Sequence, residues 1–222
     1  MIWNNERLPQ QWNEGIICPV YKKGDRLNCN KYRPITLLNI AYKIFAILLN
    51  KRLRENIENK LEDNQMGFRP NRYTIDNIFI VRQNFEKSHE HNIDLYSIFV
   101  DYTHSFDSVH RNKPIECLRK FDVSDKLIRL IALTLIHTGA RVKLNRDFTE
   151  EFIVKCGVKQ GDPLSAALFS LVIDTVLKQM ELRRNVTSRL KRVAYADDIL
   201  LTTRTKQFLI DTFQKLNEIS AQ

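Results

Sequence analysis

Two adjacent acidic residues, Asp197 and Asp198, separate two short apolar segments, residues 192–196 and 199–203. Each segment has the length and apolar content of a β-strand, so the aspartates are predicted to occupy the tight turn of a hairpin. Adjacent carboxylates with apolar flanks repel each other and lose hydration, and they therefore need a compensating cation. An isolated Asp-Asp pair is more often a simple β-turn, so the rest of the chain must distinguish the two interpretations.

A third aspartate, Asp101, ends the apolar segment 95–100, which is predicted to be a strand buried on both faces. If this strand lies beside the hairpin, three carboxylates come together. Such a cluster can hold two Mg²⁺ ions about 3.5–4 Å apart, an arrangement that stabilises the attacking and leaving oxygens in phosphoryl transfer. The acidic residues therefore indicate metal-dependent chemistry on phosphate.

Helices dominate the first half of the chain, and strands mixed with helices follow. Residues 14–21 are predicted to be a strand, and residues 40–61 a long amphipathic helix with a basic side. Another helix is predicted to start at Thr74, with the Thr74 hydroxyl capping its first turn. This order of elements predicts an α+β fold.

The charge balance favours a polyanionic partner, because 35 basic residues face 26 acidic ones among 222 residues, a formal net charge of +9. No apolar run approaches the roughly 20 residues that span a bilayer, so membrane insertion is not expected. The four cysteines form no CxxC pair. They are expected to be free thiols in a reducing, intracellular compartment.

Six blocks of sequence occur in a recognisable order. They are IICPVYKKGD (16–25), KYRPITLL (31–38), QMGFR (65–69), FVD with FD (99–101 and 106–107), QGDPLS (160–165) and AYADD (194–198). In this order and spacing the chain resembles the reverse transcriptase of non-LTR (LINE-type, jockey-like) retrotransposons. The resemblance covers essentially the whole chain, and it overrides the simple β-turn interpretation of the two aspartates.

The resemblance implies a right-hand polymerase fold, with a fingers-like subdomain over residues 1–92 and a palm subdomain over 93–222. An antiparallel palm sheet with packed helices is expected. The family places its primer-grip hairpin and helical thumb beyond the position of Gln222, so a thumb is expected to be absent and activity in isolation weak or lost.

In the resemblance, Asp101 and Asp197 match the principal metal ligands, and Asp198 matches the third catalytic carboxylate. The implied cofactor is a pair of Mg²⁺ ions, with Mn²⁺ as an alternative. Phe106 matches the aromatic residue that obstructs a ribose 2′-hydroxyl, which favours DNA synthesis over RNA synthesis. The chain departs from the family at residues 104–105, where His-Ser replaces the usual Lys-Ala.

The nucleotide pocket implied by the resemblance contains basic and amide groups. A fixed guanidinium at Arg33 suits a bidentate contact with the triphosphate, and Lys22 is an additional charge there. Gln160 and Gly161 match the loop that lines the nucleotide, where glycine allows close approach of the backbone. Residues expected to contact template or primer are Lys23, Arg69, Arg72 and Tyr195, although basic loop residues are often only solvated.

The implied function is an RNA-directed DNA polymerase domain, with an RNA template, a DNA primer and deoxynucleoside triphosphates as partners. A non-catalytic nucleic-acid-binding remnant of a mobile element is an alternative. An RNA-templated RNA polymerase is a third interpretation, which Phe106 opposes. No obligate oligomer is indicated, and no targeting signal distinguishes cytoplasm from nucleus.

Overall fold

A computed structural model describes residues 2–136, 138–181 and 190–220. Its helices are α1 (Ile2–Asn5), α2 (Ile40–Ile57), α3 (Thr74–Glu90), α4 (Ser105–Ser108), α5 (Asn112–Lys120), α6 (Asp125–Leu135), α7 (Ser165–Glu181) and α8 (Lys206–Ser220). Its strands are β1 (Glu14–Tyr21), β2 (Tyr32–Leu37), β3 (Tyr96–Asp101), β4 (Gly139–Leu144), β5 (Asp147–Phe148), β6 (Phe152–Ile153), β7 (Lys191–Tyr195) and β8 (Asp198–Thr203). This mixture of helices and strands confirms the predicted α+β class.

The chain divides into two compact units, Met1–Ile57 with Phe106–Phe169 and Glu58–Ser105 with Ser170–Gln222. The first unit contains a five-stranded sheet in the order β2-β1-β4-β5, with β6 paired to β4. Strands β1 and β2 are antiparallel, whereas β1 and β4 are parallel. The loop between β1 and β2 carries the predicted basic residues.

Helix α2 packs in the first unit through a buried stripe at helical spacing. The stripe includes Tyr42, Ala46, Leu49 and Leu53, which recur every three or four residues. Trp12 packs against the Tyr42 end of the stripe. The predicted helix is confirmed, although it ends at Ile57 and continues as a 3₁₀ turn.

The second unit contains an antiparallel sheet in the order β3-β8-β7, with helix α3 against β7 and helix α8 against β3 and β8. Strand β8 lies between β3 and β7, and its residues Ile199 to Thr203 are buried. Asp101 at the end of β3 pairs with Asp198 at the start of β8. Strand β3 and the hairpin therefore lie side by side, which is the condition for bringing the three carboxylates together.

Three local predictions are wrong. The turn of the hairpin was predicted at Asp197-Asp198, but it consists of Ala196 and Asp197, because Tyr195 pairs with Asp198 and Asp198 begins strand β8.

Strand β3 is not buried on both faces, because none of its six residues is fully buried and the side chain of Phe99 is 76% exposed. Among the described residues it lies at the edge of the sheet, paired with β8. The start of α3 is not capped by the Thr74 hydroxyl. Instead, the Asp76 carboxylate accepts a hydrogen bond from the Tyr73 backbone N–H at 2.7 Å, which satisfies a free donor of the first turn.

The compact units do not follow the predicted subdomain boundary between residues 92 and 93, since each unit joins two separate stretches of chain. A compact unit is defined by contacts within the chain, whereas fingers and palm are defined by their place in a polymerase. The ranges predicted for fingers and palm therefore stay a prediction. Among the helices of the described residues, none combines the length and the apolar character that crossing a bilayer requires.

Candidate active site

The antiparallel sheet of the second unit brings the predicted carboxylates together. Asp101 is the last residue of β3, and Asp198, its partner across the strands, is the first residue of β8. Directly opposed residues in an antiparallel pair have Cβ atoms about 4.5–5.5 Å apart. Asp197 belongs to the two-residue turn between Tyr195 and Asp198, so all three aspartates lie at one end of the sheet.

The pKa of the Asp198 carboxyl responds to its surroundings at this end of the sheet. Burial raises the pKa of Asp198, and the charges of Asp197 and Asp101 raise it further. In residues 2–136, 138–181 and 190–220, no lysine or arginine forms a salt bridge with any of the three. The cluster therefore carries negative charge that the described part of the protein does not neutralise.

A neighbouring hydroxyl orients one of these carboxylates. Ser105 is buried, and its Oγ donates a hydrogen bond to Asp197 Oδ2 at 2.8 Å. Sequence reasoning assigned no role to Ser105. The available signal was the departure from the family's usual alanine at this position, because only a hydroxyl can donate this bond.

The donor set suits a hard divalent cation. Among the described residues, no group of three or more His, Cys, Asp or Glu side chains is arranged to hold a metal ion by itself. Mg²⁺, however, is usually bound in proteins through one or two carboxylates together with water and substrate phosphates. The uncompensated carboxylates of Asp101, Asp197 and Asp198 fit that mode better than a closed cage of protein ligands.

An apolar groove of about 630 Å³ adjoins the Asp101–Asp198 pair. Ile78 and Phe85 of α3 line it together with Phe99 and Leu200 of the sheet. Tyr195, predicted to contact nucleic acid, is half-buried and lines the same groove.

The first unit contains the predicted sugar-selecting residue, Phe106, in a fixed orientation. The ring of Phe106 stacks on that of Phe169, with centroids 4.5 Å apart and planes 16° from parallel. The Phe106 carbonyl also accepts a hydrogen bond from the Val158 N–H at 2.9 Å. The stacking restricts movement of the ring, and the hydrogen bond fixes the backbone that carries it.

The predicted nucleotide-lining loop is tied to the rest of the first unit. The Gln160 amide donates to both carboxylate oxygens of Asp107, at 3.1 and 3.0 Å. The Gln160 carbonyl accepts from the Thr36 N–H at 2.7 Å. Gly161 has φ +107°, and a Cβ there would lie 2.8 Å from the Thr36 carbonyl oxygen, so this position requires glycine.

Buried charged and polar groups support the same loop. Asp162 accepts a hydrogen bond from the Tyr42 phenol and another from the Leu164 N–H in front of α7. The Lys159 Nζ lies 5.3 Å from the centroid of the Tyr42 ring and has no hydrogen-bond partner in the described part of the chain. Burial lowers the pKa of Lys159 to about 8, with Arg111 contributing in the same direction and Asp162 opposing.

The predicted triphosphate residues are exposed. Arg33 lies on β2 opposite Val20, and Lys22 and Lys23 follow β1 in the connecting loop. Their side chains are accessible to a solvent-borne anion, as the predicted contact requires.

Arg69 is placed differently from its predicted role at the template. It is buried, and its guanidinium donates to Glu58 Oε1 at 2.8 Å and to the carbonyls of Glu58, Glu62 and Gln65. These bonds connect Arg69 to the segment 58–65 that precedes it. The predicted phosphate contact is not supported, because the donors of Arg69 are used within the protein. Arg72 is more exposed and pairs with Asp63.

The family comparison bears on the same residues. A family model described as "Reverse transcriptase (RNA-dependent DNA polymerase)" matches residues 20–222. This match includes all three aspartates and the Gln160 loop.

Relatives come from transposable elements. The Pol polyprotein from the type-2 retrotransposable element R2DM of Drosophila melanogaster is 31% identical over 188 residues, which are 81% of this chain and 17% of that protein. The "Transposon TX1 uncharacterized 149 kDa protein" of Xenopus laevis is 27% identical over 205 residues, 89% of this chain and 16% of that protein. The chain thus spans about a sixth of the length of these relatives.

Solved structures show the fold. Telomerase from Candida tropicalis, in complex with the TWJ fragment of telomeric RNA, superposes with a TM-score of 0.69 at 16% identity, over 98% of this chain and 41% of that one. Telomerase from Candida albicans gives a TM-score of 0.64 at 12% identity, over 96% of this chain and 41% of that one. At such identities the likeness establishes a shared fold, and it confirms the predicted polymerase fold class.

Proposed function

This chain belongs to the reverse transcriptase (RNA-dependent DNA polymerase) family, and from that premise we propose that it supplies the polymerase centre of a retrotransposon protein. In the proposed reaction, a primer 3′-hydroxyl attacks the α-phosphate of a deoxynucleoside triphosphate, a new phosphodiester bond forms and pyrophosphate leaves. The observation that carries this proposal is the uncompensated carboxylate cluster at the β3–β8 pair.

Asp101 and Asp197 are the proposed principal metal ligands, and Asp198 is the third carboxylate of the site. A pair of Mg²⁺ ions bound there, or Mn²⁺ in their place, would supply charge stabilisation for the attacking and leaving oxygens. The protein's own contribution is to keep three negative groups at one end of a rigid sheet. The Ser105 hydroxyl fixes the orientation of the Asp197 carboxylate.

Selection of the sugar is proposed for Phe106. Its ring is held against Phe169 and cannot move aside easily, so it would reject a 2′-hydroxyl by steric exclusion. Gln160 is proposed to contact the nucleotide after its amide leaves Asp107, and Gly161 allows the backbone to approach. Arg33 and Lys22 are proposed to bind the triphosphate.

The proposed partners are an RNA template, a DNA primer and deoxynucleoside triphosphates. Lys23, Arg72 and Tyr195 are the residues proposed to contact nucleic acid. Residues 1–92 and 93–222 are the proposed fingers and palm. The origin of the relatives in transposable elements and the net charge of +9 support these assignments.

Primer extension on an RNA template tests the proposal. The protein is incubated with an annealed DNA primer, deoxynucleotides and Mg²⁺, beside the variants Asp197→Ala and Asp94→Ala. Asp94 is an exposed aspartate on the same unit, ahead of β3. We expect weak extension by the protein and by Asp94→Ala, and a loss of at least about a hundredfold in Asp197→Ala, because metal-bound charge contributes several kcal/mol to such reactions. Equal extension by all three proteins would contradict the proposal.

A non-catalytic nucleic-acid-binding role is the second candidate, and the net charge favours it. Such a protein would bind RNA or DNA in a salt-dependent manner, and binding would be unchanged by Asp197→Ala. Binding without detectable extension by any protein would favour this candidate over the enzyme.

A further inference from the structure

The turn that carries Asp197 has a backbone conformation that is unfavourable for its sequence. Ala196, the first residue of the turn, has φ +57°, in the left-handed region. A residue with a Cβ pays roughly 1–2 kcal/mol for this conformation. Contacts from outside the hairpin must therefore stabilise the turn.

One buried side chain makes those contacts. Gln65 is 0% exposed, and its Oε1 accepts hydrogen bonds from the Ala196 N–H at 3.2 Å and from the Gly67 N–H at 2.9 Å. Its Nε2 donates to the Ala196 carbonyl at 3.3 Å. The amide of Gln65 therefore bonds both backbone polar groups of the strained residue.

The segment around Gln65 runs beside β7 and holds the amide in place. The Met66 N–H donates to the Ala194 carbonyl at 2.9 Å, and the Ala194 N–H donates to the Asn64 carbonyl at 2.8 Å. The backbones approach so closely that a Cβ on Gly67 would lie 2.1 Å from the Ala196 nitrogen. The turn is thus fixed from a part of the chain about 130 residues earlier.

We propose that Gln65 is a positioning residue that sets the direction of Asp197 through the backbone of Ala196. This inference rests on the proposed function. Asp197 follows Ala196 directly, so the peptide that Gln65 holds also sets where the Asp197 Cα–Cβ bond points. In reactions of this kind, a displacement of about 1 Å can cost on the order of a hundredfold in rate.

Removing the Gln65 amide would also cost free energy at the turn. Without the Gln65 amide, the N–H and the carbonyl of Ala196 would be buried without these partners, at about 1–3 kcal/mol for each group. The turn would relieve this cost by rotating toward solvent or water, and Asp197 would rotate with it. Gln65 thus affects the reaction rate through the orientation of Asp197, and it does not contact a substrate.

The test compares Gln65→Met, which is similar in size but lacks the amide, with Gln65→Glu, whose carboxyl is kept neutral by burial and so retains an acceptor oxygen and an O–H donor. Asn77→Ala is the matched control, because the Asn77 Nδ2 donates to the Ala194 carbonyl at 3.2 Å, on the same strand but before the turn. Two quantities are measured: amide hydrogen exchange of Ala196 by NMR, and kcat and KM for a deoxynucleotide in primer extension.

In Gln65→Met we expect Ala196 to exchange at least tenfold faster while the Ala194 amide, bonded to Asn64, keeps its protection. We expect kcat to fall about 10- to 100-fold with KM changed less than about threefold. Gln65→Glu should give smaller changes in both quantities, and Asn77→Ala should leave Ala196 exchange and kcat unchanged.

The inference would be overturned if the Ala196 amide exchanged at an unchanged rate in Gln65→Met. It would also be overturned if kcat stayed the same in a variant whose Ala196 amide exchanges faster. If Gln65→Met does not fold, the exchange rate of the Ala196 amide and kcat are measured in Gln65→Glu instead, and the same outcomes apply. If the unsubstituted protein extends no primer, the proposed function fails, while Ala196 exchange still determines whether Gln65 holds the turn.

Discussion

The aspartate turn (residues 195–198) and the glutamine loop (residues 157–163) are both supported by buried polar side chains, but in opposite ways. In the aspartate turn, Gln65 bonds the backbone, and the carboxylates receive no cationic partner from the described residues. In the glutamine loop, the side chains bond one another: Gln160 to Asp107, and Tyr42 to Asp162. The first arrangement leaves charge available for a ligand, and the second uses polar groups internally.

This difference assigns different tasks to the two regions. A rigid backbone beneath unneutralised carboxylates is suited to hold cations without rearrangement. The glutamine loop must exchange an internal bond for a substrate contact if Gln160 is to reach a nucleotide. We therefore expect substitutions in the aspartate turn to affect catalysis directly, and substitutions around the loop to act first on stability.

Gly67→Ala gives the largest expected effect on stability. The added Cβ would lie 2.1 Å from the backbone nitrogen of Ala196, so either the turn or the segment around Gln65 must move. We expect a loss of about 3 kcal/mol or more in the free energy of unfolding, measured by urea denaturation, together with loss of primer extension.

Gly139→Ala is the matched control for that substitution. A Cβ on Gly139 would also meet an atom at 2.1 Å, but this atom is Oε1 of the exposed Glu151 side chain, which can rotate away. We expect a loss below about 1 kcal/mol. Equal losses of unfolding free energy in the two variants would show that the backbone at the aspartate turn yields as easily as the Glu151 side chain.

Lys159→Met tests whether the glutamine loop carries an unfavourable charge. Burial lowers the pKa of Lys159 from 10.5 to about 8, so the ammonium is less stable in the folded protein than in the unfolded chain. We expect the variant to be more stable at pH 7 by about 1–3 kcal/mol in urea denaturation. Lys155→Met, at an exposed position, should change stability by less than about 0.5 kcal/mol.

The same variant has a predicted pH dependence. Below pH 8 both folded and unfolded protein carry the Lys159 proton, and the full cost of burying the charge is present. Between about pH 8 and 10.5 the folded protein loses this proton while the unfolded chain keeps it, so the unsubstituted protein gains stability relative to Lys159→Met. An advantage of Lys159→Met that stays constant from pH 7 to 10 would exclude a destabilising ammonium.

Ser105→Ala gives the smallest expected effect, because it removes one hydrogen bond to Asp197 without altering the aspartate turn. We expect a three- to tenfold fall in kcat/KM for a deoxynucleotide, which corresponds to about 1 kcal/mol. Ser105→Thr keeps the hydroxyl and should restore part of the loss. An unaltered kcat/KM in Ser105→Ala would mean that the backbone alone orients Asp197.

Local features of the fold were predictable from sequence. The strands on either side of Asp197 follow from the length and apolar content of their segments, and helix α2 follows from the helical spacing of its apolar residues, which depend only on near neighbours. The buried stripe of α2 was not predicted correctly, because Ile40, Ile44 and Leu48, on which the spacing was counted, are exposed. The exposure of β3 was not predictable in this way, because an apolar segment such as 95–100 has the same composition whether or not other elements cover its faces.

In the candidate site, the sequence indicated which residues belong to the site, but it did not indicate which other residues contact them. The aspartates were identified by their chemistry and by resemblance, but the support from Gln65 depends on contacts across about 130 residues of chain. Arg69 shows the same limitation. A basic residue in a loop looks like a phosphate contact until the structure reveals its partners, Glu58 and Glu62.

Binding of Mn²⁺, followed by electron paramagnetic resonance, tests most directly whether the aspartate turn keeps its charge for a divalent cation. The protein, Asp197→Asn and the control Asp94→Asn are titrated with Mn²⁺ in the presence and absence of a deoxynucleoside triphosphate. We expect saturable binding to the protein and to Asp94→Asn, strengthened by the nucleotide, and binding at least tenfold weaker in Asp197→Asn. Equal Mn²⁺ affinity in all three proteins would contradict the account.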